Sequence, residues 1–316
     1  MLNIINKIFS NFKRKILFSE KFENYKELKK IFSLLENKQN NKKIMFVGGC
    51  IRKLLNNEPI NDIDAATNLT PEEVKEILVK NNIKFIETGL SHGTITIVID
   101  QTKVELTTLR KDVKTDGRHA NVEFISDWED DASRRDFTIN AIYSDFTGKI
   151  YDPLNGSKDL KDGIVKFIGD PNLRINEDYL RILRYLRFFT QYSKLDHDYT
   201  TLKAVKKNLD GLAKISKERI IDEFLKILSL KNLDNLFNNK DSCSILLTIF
   251  PQLKYYERLK KRSKISKTVL SKIDNILLLS IMLIDNSDST EFFYINFDFL
   301  IKLKIEFILC IKMLKK

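Results

Sequence analysis

Two carboxylates stand at i and i+2 in Asp62-Ile63-Asp64. On a strand such a pair points to one face, where like charges repel unless a cation sits between them. A hard, oxygen-seeking ion such as Mg2+ suits the pair, because it takes one or two carboxylates and then substrate phosphates. A short way upstream, Gly48-Gly49-Cys50-Ile51-Arg52 closes the apolar run Ile44 to Val47. Paired glycines at a strand end let a phosphate approach the backbone, and the helix they open favours anions at its N-terminus. Arg52 adds a charge-assisted donor one turn in. The spacing is that of neither a P-loop nor a dinucleotide fingerprint. One helix and a return fit between the two features, so a phosphate cradle and a metal pair would face one another. Taken singly, each has a plainer reading, a tight turn and a solvated acidic turn.

Two further groups carry donors and acceptors. In Arg134-Arg135-Asp136-Phe137-Thr138-Ile139-Asn140, adjacent arginines suit a triphosphate, and Asp136 and Asn140 suit sugar hydroxyls. A salt-bridged lead into a strand is the bland alternative. Asp178, Arg181, Arg184 and Arg187 step by three, a slowly drifting line on a helix, with Glu177 four residues before Arg181. A salt-bridge-laced helix face is the default reading. The sharper one concerns base edges. An Asp accepting from an exocyclic amino group, beside an Arg donating to the ring nitrogen, fits cytosine and adenine and rejects uracil and guanine.

These residues need elements to hold them. Residues 44 to 150 read as mixed β and α: a short strand, the double glycine, then a helix with Ile51, Leu54 and Leu55 on one face. Thr70-Pro71-Glu72-Glu73 is a capping box with Pro at the first helical position. Thr94 to Asp100 and Val104 to Leu109 alternate as strands, with Gln101 and Thr102 between them, and predict an antiparallel hairpin. Phe137 to Ser144 reads as a strand or a buried helix. From about Asn176 Leu, Ile and Phe recur at helical spacing and Gly nearly vanishes, which places a boundary near residue 170 and predicts a helical second part. Ile4, Ile5, Ile8, Phe9 and Phe12 predict an amphipathic N-terminal helix; it is basic, but has neither the continuous apolar stretch nor the cleavage site of a secretory signal.

Length and composition bound the rest. The 316 residues suggest two or three domains, and 43% hydrophobic content supplies a core. No run reaches the ~18 apolar residues of a spanning helix; Ile276 to Ile284 reads as a buried helix. Cys50, Cys243 and Cys310 lie too far apart for a CxxC or zinc pattern. His92, His119 and His197 are the only histidines, with no phosphohydrolase pattern, and read as structural or loop residues. The net charge of +11 permits a polyanionic partner, although the Lys, Asn and Ile richness is also what compositional bias gives. Lys254 to Lys272, with Tyr255 and Tyr256 beside its lysines and arginines, suits RNA phosphates or a solvated helix face.

FVGGCIRKLL, NDIDAATNLTPEEV, TGLSHGTITIVIDQTKVELTTLRKDVKTDGRHANVEF, RRDFTINAIY, YDPLNGSKDLKDGIVKFIGDP and RINEDYLRILRYLRF, in this order, resemble the class II tRNA nucleotidyltransferases of the DNA polymerase beta superfamily, the CCA-adding enzymes, a family that also holds bacterial poly(A) polymerases. The resemblance implies an α+β nucleotidyltransferase head, a small mixed β-sheet flanked by helices, over 43–170. An all-α neck over 171–235 for base recognition and an all-α body and tail over 236–316 for tRNA binding follow, with 1–42 as an N-terminal helical extension. It implies Asp62 and Asp64 as the catalytic metal pair and Gly48, Gly49 and Arg52 as nucleotide contacts. Arg135 falls to the triphosphate, Asp136 and Asn140 lie near the ribose, and Asp178, Arg181, Arg184 and Arg187 belong to the base-reading helix. Glu105, on a neighbouring predicted strand, is a third carboxylate or a salt-bridge partner. Lys103 to Phe124 matches a flexible segment that couples the switch from C to A addition. Lys53 stands where the family commonly has Asp. The implied substrates are CTP, ATP and the tRNA 3′ end, with two Mg2+ ions, in the cytoplasm. The rivals are a poly(A) polymerase, an A-adding-only relative and a catalytically inactive RNA-binding module.

Overall fold

The structure, a computed structural model, describes residues 26–37, 39–60, 62–89, 92–99, 102–116, 119–253, 255–257 and 282, with backbone alone at 26–27, 102, 112–116 and 119–121. The expected N-terminal helix, most of the Lys254–Lys272 stretch, the Ile276–Ile284 run apart from Met282, and Cys310 lie outside the described residues. Contacts divide the chain into two compact units: one runs to Asp162 and includes Lys166–Ile168, the other takes Gly163–Val165 and continues from Gly169.

The first unit is built on a seven-stranded sheet. In chain order its elements are α1 (Lys26–Leu35), β1 (Ile44–Val47), α2 (Gly49–Leu55), β2 (Ile63–Thr67), α3 (Pro71–Lys80), β3 (Phe85–Gly89), β4 (Thr94–Ile99), β5 (Thr102–Thr108), β6 (Arg110–Asp116), β7 (His119–Phe124), α4 (Trp128–Ser133), β8 (Tyr143–Ser144), β9 (Ile150–Tyr151) and α5 (Gly156–Asp162). The sheet order is β3-β4-β5-β2-β1-β8-β9; β2 and β5 run parallel and the other neighbours antiparallel. The period-2 geometry of a strand explains its burial on both sides. Ile44 and Phe46 of β1 join Ile63 and Ala65 of β2, Val104 and Leu106 of β5, and the apolar faces of α1 and α3. Met45, Val47 and Ala66 face the other way, with Leu109, Ala132 and Tyr143. Asp64 is two residues from Ala66 and therefore stands on that second side.

Local signals explain most of these elements. Thr70 and Glu73 form the reciprocal capping box with Pro71 at the helix start, and Lys42 ion-pairs with Glu73 at 2.9 Å. Strands β4 and β5 form the expected antiparallel hairpin, with β5 beginning at Thr102. Two expectations need correction. Phe137 to Ser144 is neither one strand nor one helix: a single 3-10 turn at Thr138–Asn140 leads into the two-residue β8. The stretch from Lys103 to Phe124, read as one flexible segment, divides between β5 in the sheet and the separate antiparallel hairpin β6–β7.

The second unit is helical among its described residues, with α6 (Pro171–Glu177), α7 (Arg181–Tyr192), α8 (Tyr199–Lys207), a 3-10 turn at Leu209–Lys214, α9 (Lys217–Leu228), α10 (Asp234–Phe237) and α11 (Lys240–Ile249). Side-chain caps at Asp170, Asp198 and Asn239 start α6, α8 and α11 by accepting from backbone N–H groups. Helix α7 buries Ile182, Leu183, Tyr185, Leu186, Phe188 and Phe189. His197 stacks on Phe189 and joins Tyr185 and Ser242 through 2.8 Å contacts at its two ring nitrogens. Burial lowers its pKa, as befits a packing residue. Asp178 is not on the helix of the arginines. It is extended, between the end of α6 and the turn that starts α7, because its carboxylate accepts from the backbone N–H of Leu180 at 3.2 Å instead of extending α6.

Candidate active site

The glycine turn brings the first unit's polar residues together. Gly48 precedes α2 with φ of +70°, a conformation that costs a side-chain-bearing residue energy but not glycine. A methyl group on Gly48 would lie 3.6 Å from the Asn140 carbonyl oxygen and 3.7 Å from Arg135 Nη1. One on Gly49 would lie 3.4 Å from Asp64 Oδ2 and 3.9 Å from Arg52 Nη2. The turn is thus flanked at Gly49 by the Asp64 carboxylate and the Arg52 guanidinium, and at Gly48 by the Arg135 guanidinium. Arg52 is nearly fully buried and donates to Asn140 Oδ1. Asn140 Nδ2 in turn donates to Asp136 Oδ1 at 2.8 Å, and that oxygen also accepts from the Phe137 N–H. The 3-10 turn matters here: it places Asn140 back over Asp136, four residues earlier, and against α2.

The Asp64 carboxyl of β2 is pulled in two directions. Burial raises the pKa of Asp64, the Glu105 and Asp62 charges raise it further, and Arg135 and Arg52 oppose them. Glu105 is the parallel-register partner of Asp64, so the two carboxylates stand side by side on one sheet face. Glu105 makes no ion pair among the described residues, and its charge acts on Asp64. No group of three or more His, Cys, Asp or Glu with a metal-holding arrangement occurs among the described residues. Asp62 stands exposed just before β2 and Asp64 half-buried on it; two such carboxylates would be enough for Mg2+ where phosphates complete its shell. Beneath the turn, the Cys50 thiol donates to the carbonyls of Val47 and Asp64, 3.3 Å each. Burial and the Asp64 charge push its pKa up to about 12.

The arginine pair is held by a residue that motif spacing did not single out. Asp131, on α4 and 1% exposed, accepts from Arg134 Nε at 2.8 Å and from Arg135 Nη2 at 2.9 Å. Tyr143 OH donates to Asp131 Oδ2 at 2.7 Å, and Arg135 Nε donates to the same hydroxyl at 3.1 Å. Burial by itself raises the Asp131 pKa, but the Arg135 and Arg134 charges and the hydrogen bonds outweigh it and hold the carboxyl at about 2. The helical i,i+3 and i,i+4 spacing of Asp131 to the two arginines is visible in the sequence; the part played by Tyr143, on another element, is not.

In the helical unit Glu177 and Arg181 pair as their spacing predicted, although they lie on successive helices, and Arg181 Nη1 also donates to the Arg174 carbonyl at 2.8 Å. Asp178 Oδ2 accepts from Arg219 of α9 at 2.8 Å. Arg184 and Arg187 both lie over Phe188, the latter at 4.2 Å, and Arg187 Nε binds the buried Glu223 at 2.5 Å. Arg219 and Glu223 were not anticipated, since nothing local links residues 36 or more positions apart.

A mixed sheet with a glycine turn, a carboxylate pair at the start of a strand and an arginine cluster beside the turn, followed by helices, defines a nucleotidyltransferase type of fold. Comparison with known proteins makes this specific. Residues 44–166 match the poly A polymerase head domain, and residues 196–257 match the probable RNA and SrmB-binding site of polymerase A. Mouse mitochondrial CCA tRNA nucleotidyltransferase 1 is 44% identical over 219 residues, 68% of this chain and 49% of that protein. The CCA-adding enzyme of Lactobacillus helveticus is 42% identical over 184 residues, 58% of this chain and 45% of its own length. The crystal structure of the Bacillus stearothermophilus CCA-adding enzyme in complex with CTP superposes with a TM-score of 0.72 at 29% identity, covering 90% of this chain and 68% of that one. The chain belongs to the poly(A) polymerase and CCA-adding nucleotidyltransferase family. It spans about half the length of the curated relatives it matches.

Proposed function

We propose that this protein adds CCA, without a template, to the 3′ end of tRNA. The RNA 3′-hydroxyl attacks the α-phosphorus of CTP or ATP, a new phosphodiester bond forms, and pyrophosphate leaves. The observation that carries the reading is the gathering of Gly48, Gly49, Arg52, Asp64, Arg135, Asp136 and Asn140 around one turn. The glycine turn gives the triphosphate close backbone approach, and Arg52 and Arg135 hold its charge. Asp136 and Asn140 stand ready for the ribose, their mutual hydrogen bond fixing the amide orientation. Asp62 and Asp64 would hold Mg2+, whose contribution when bound is neutralisation of charge on the reacting phosphate and activation of the attacking oxygen. Asp178 and Arg181 select the base: the first accepts from the amino group, the second donates to the ring nitrogen. Arg219 on Asp178 and Glu177 on Arg181 fix those side chains. Arg184 joins the nucleotide-binding face, whereas Arg187, engaged with Glu223, holds α7 to α9.

The names of the relatives support this substrate choice, and the match of residues 196–257 supports RNA docking on the helical part. We read residues 43–170 as head, 171–235 as neck and 236–316 as body and tail. No helix among the described residues is long and apolar enough to cross a membrane. We read the place of work as the cytoplasm, with an organelle as the alternative that cell fractionation decides.

The test is extension of tRNA lacking its 3′ end with each labelled nucleotide in turn. Addition of two C and one A, then arrest, is expected. A long A tract would make the protein a poly(A) polymerase, and incorporation of A alone onto tRNA ending in CC an A-adding enzyme. Asp62→Ala and Asp64→Ala should each abolish incorporation while retaining tRNA on a filter; unchanged incorporation in both would refute the metal pair.

A further inference from the structure

Resting on the nucleotidyltransferase reading, we infer that Asp131, with Tyr143, is the positioning residue that aims Arg135 at the triphosphate. Two of the guanidinium nitrogens of Arg135 are held on its inner side. Nη2 and Nε bind Asp131 Oδ2 at 2.9 and 3.2 Å, and Nε also reaches Tyr143 OH at 3.1 Å. These contacts fix the guanidinium plane, and a planar fork held at two points leaves its third nitrogen no choice of direction. That nitrogen, Nη1, is the one beside the glycine turn, 3.7 Å from where a Gly48 side chain would begin.

The anchor is itself rigid. Asp131 is 1% exposed, sits on the short helix α4, and is packed where Tyr143 meets Trp128 edge-on at 5.5 Å. Asp131 touches no substrate atom in this scheme and acts through Arg135.

The inference separates from a merely structural role through the phosphate chain of the ligand. Asp131→Asn keeps the shape but gives up the charge and leaves an amide against the two arginines. CTP and CMP binding are measured by equilibrium dialysis with the full-length protein, alongside KM and kcat for CTP. The expected result is a loss of CTP affinity of about tenfold or more, with CMP affinity within about twofold of the parent, since the altered contact concerns the outer phosphates. The matching kinetic change is a raised KM for CTP. Tyr143→Phe, which removes only the hydroxyl, should show the same selectivity at smaller size and covers the case in which Asp131→Asn fails to fold. Equal weakening of CTP and CMP, or no weakening of either, in the folded variants would overturn the role of Asp131. A parent protein that binds neither nucleotide would instead overturn the nucleotidyltransferase reading beneath it.

Discussion

Arg187 offers a decisive perturbation because sequence spacing and structure give it different work. Its spacing places it in the base-reading line; the structure sets its Nε at 2.5 Å from Glu223, whose side chain is 2% exposed. Replacing Arg187 by Met keeps the length and the packing over Phe188 but strips the buried carboxylate of its main partner. Lys226 is a further cation at 3.5 Å among the described residues, yet it is 62% exposed and so largely screened by solvent. An uncompensated buried charge costs about 3–5 kcal/mol, and the residual Lys226 contact brings the expectation to roughly 3 kcal/mol. For a unit of this size that corresponds to a melting temperature lower by roughly 6–12 °C. The assay is urea and thermal unfolding of the parent, Arg187→Met, Glu223→Leu and the double variant. The double variant should recover most of the loss, because a buried pair replaced by apolar groups of similar volume is close to neutral. Parent-like stability in Arg187→Met, or a double variant no better than that single one, would refute the assignment. If Arg187→Met instead lost CTP affinity at unchanged stability, Arg187 would belong to the nucleotide.

Two further predictions follow from contacts described above. The Asp131 carboxyl is held at about 2 against an ordinary 3.8, so its ionised form stabilises the fold above pH ~4 and that stability is lost as the pH falls toward about 2. The difference corresponds to roughly 2 kcal/mol, so the stability gap between the parent and Asp131→Asn should narrow as acid is added; a gap independent of pH would contradict the charge network. Gly211→Ala would put a methyl group 2.0 Å from the Tyr179 ring, a clash that must displace the residue next to Asp178 in the chain. It should cost about 1–3 kcal/mol and raise incorporation of U or G in place of C and A. Unchanged fidelity would separate Tyr179 from base selection.

The sequence carried the local parts of this molecule well. The capping box at Thr70, the alternation of β4 and β5 and the glycine turn before α2 are short-range signals, readable from neighbours alone. What escaped depended on the fold. The sheet order, with β2 parallel to β5 across an intervening helix and hairpin, is what makes Glu105 the neighbour of Asp64. Periodicity could not identify the 3-10 turn at Thr138–Asn140, since one turn has no period. Asp178 left the arginine helix because its side chain competes for a backbone N–H, a choice that spacing by three does not reveal. Asp131 was passed over because an acid near two arginines reads as ordinary surface pairing until Tyr143 closes over it.

The thiol beneath the glycine turn bears on how the protein ages. Cysteines are alkylated and oxidised through their thiolate, and Cys50 is held in its protonated form by two carbonyl acceptors and by burial. Peroxide and maleimides therefore have to wait for the sheet to open before they reach the backbone that carries Asp64. Labelling of Cys50 then becomes a clock for the opening of β1 and β2, built into the chain without an added probe.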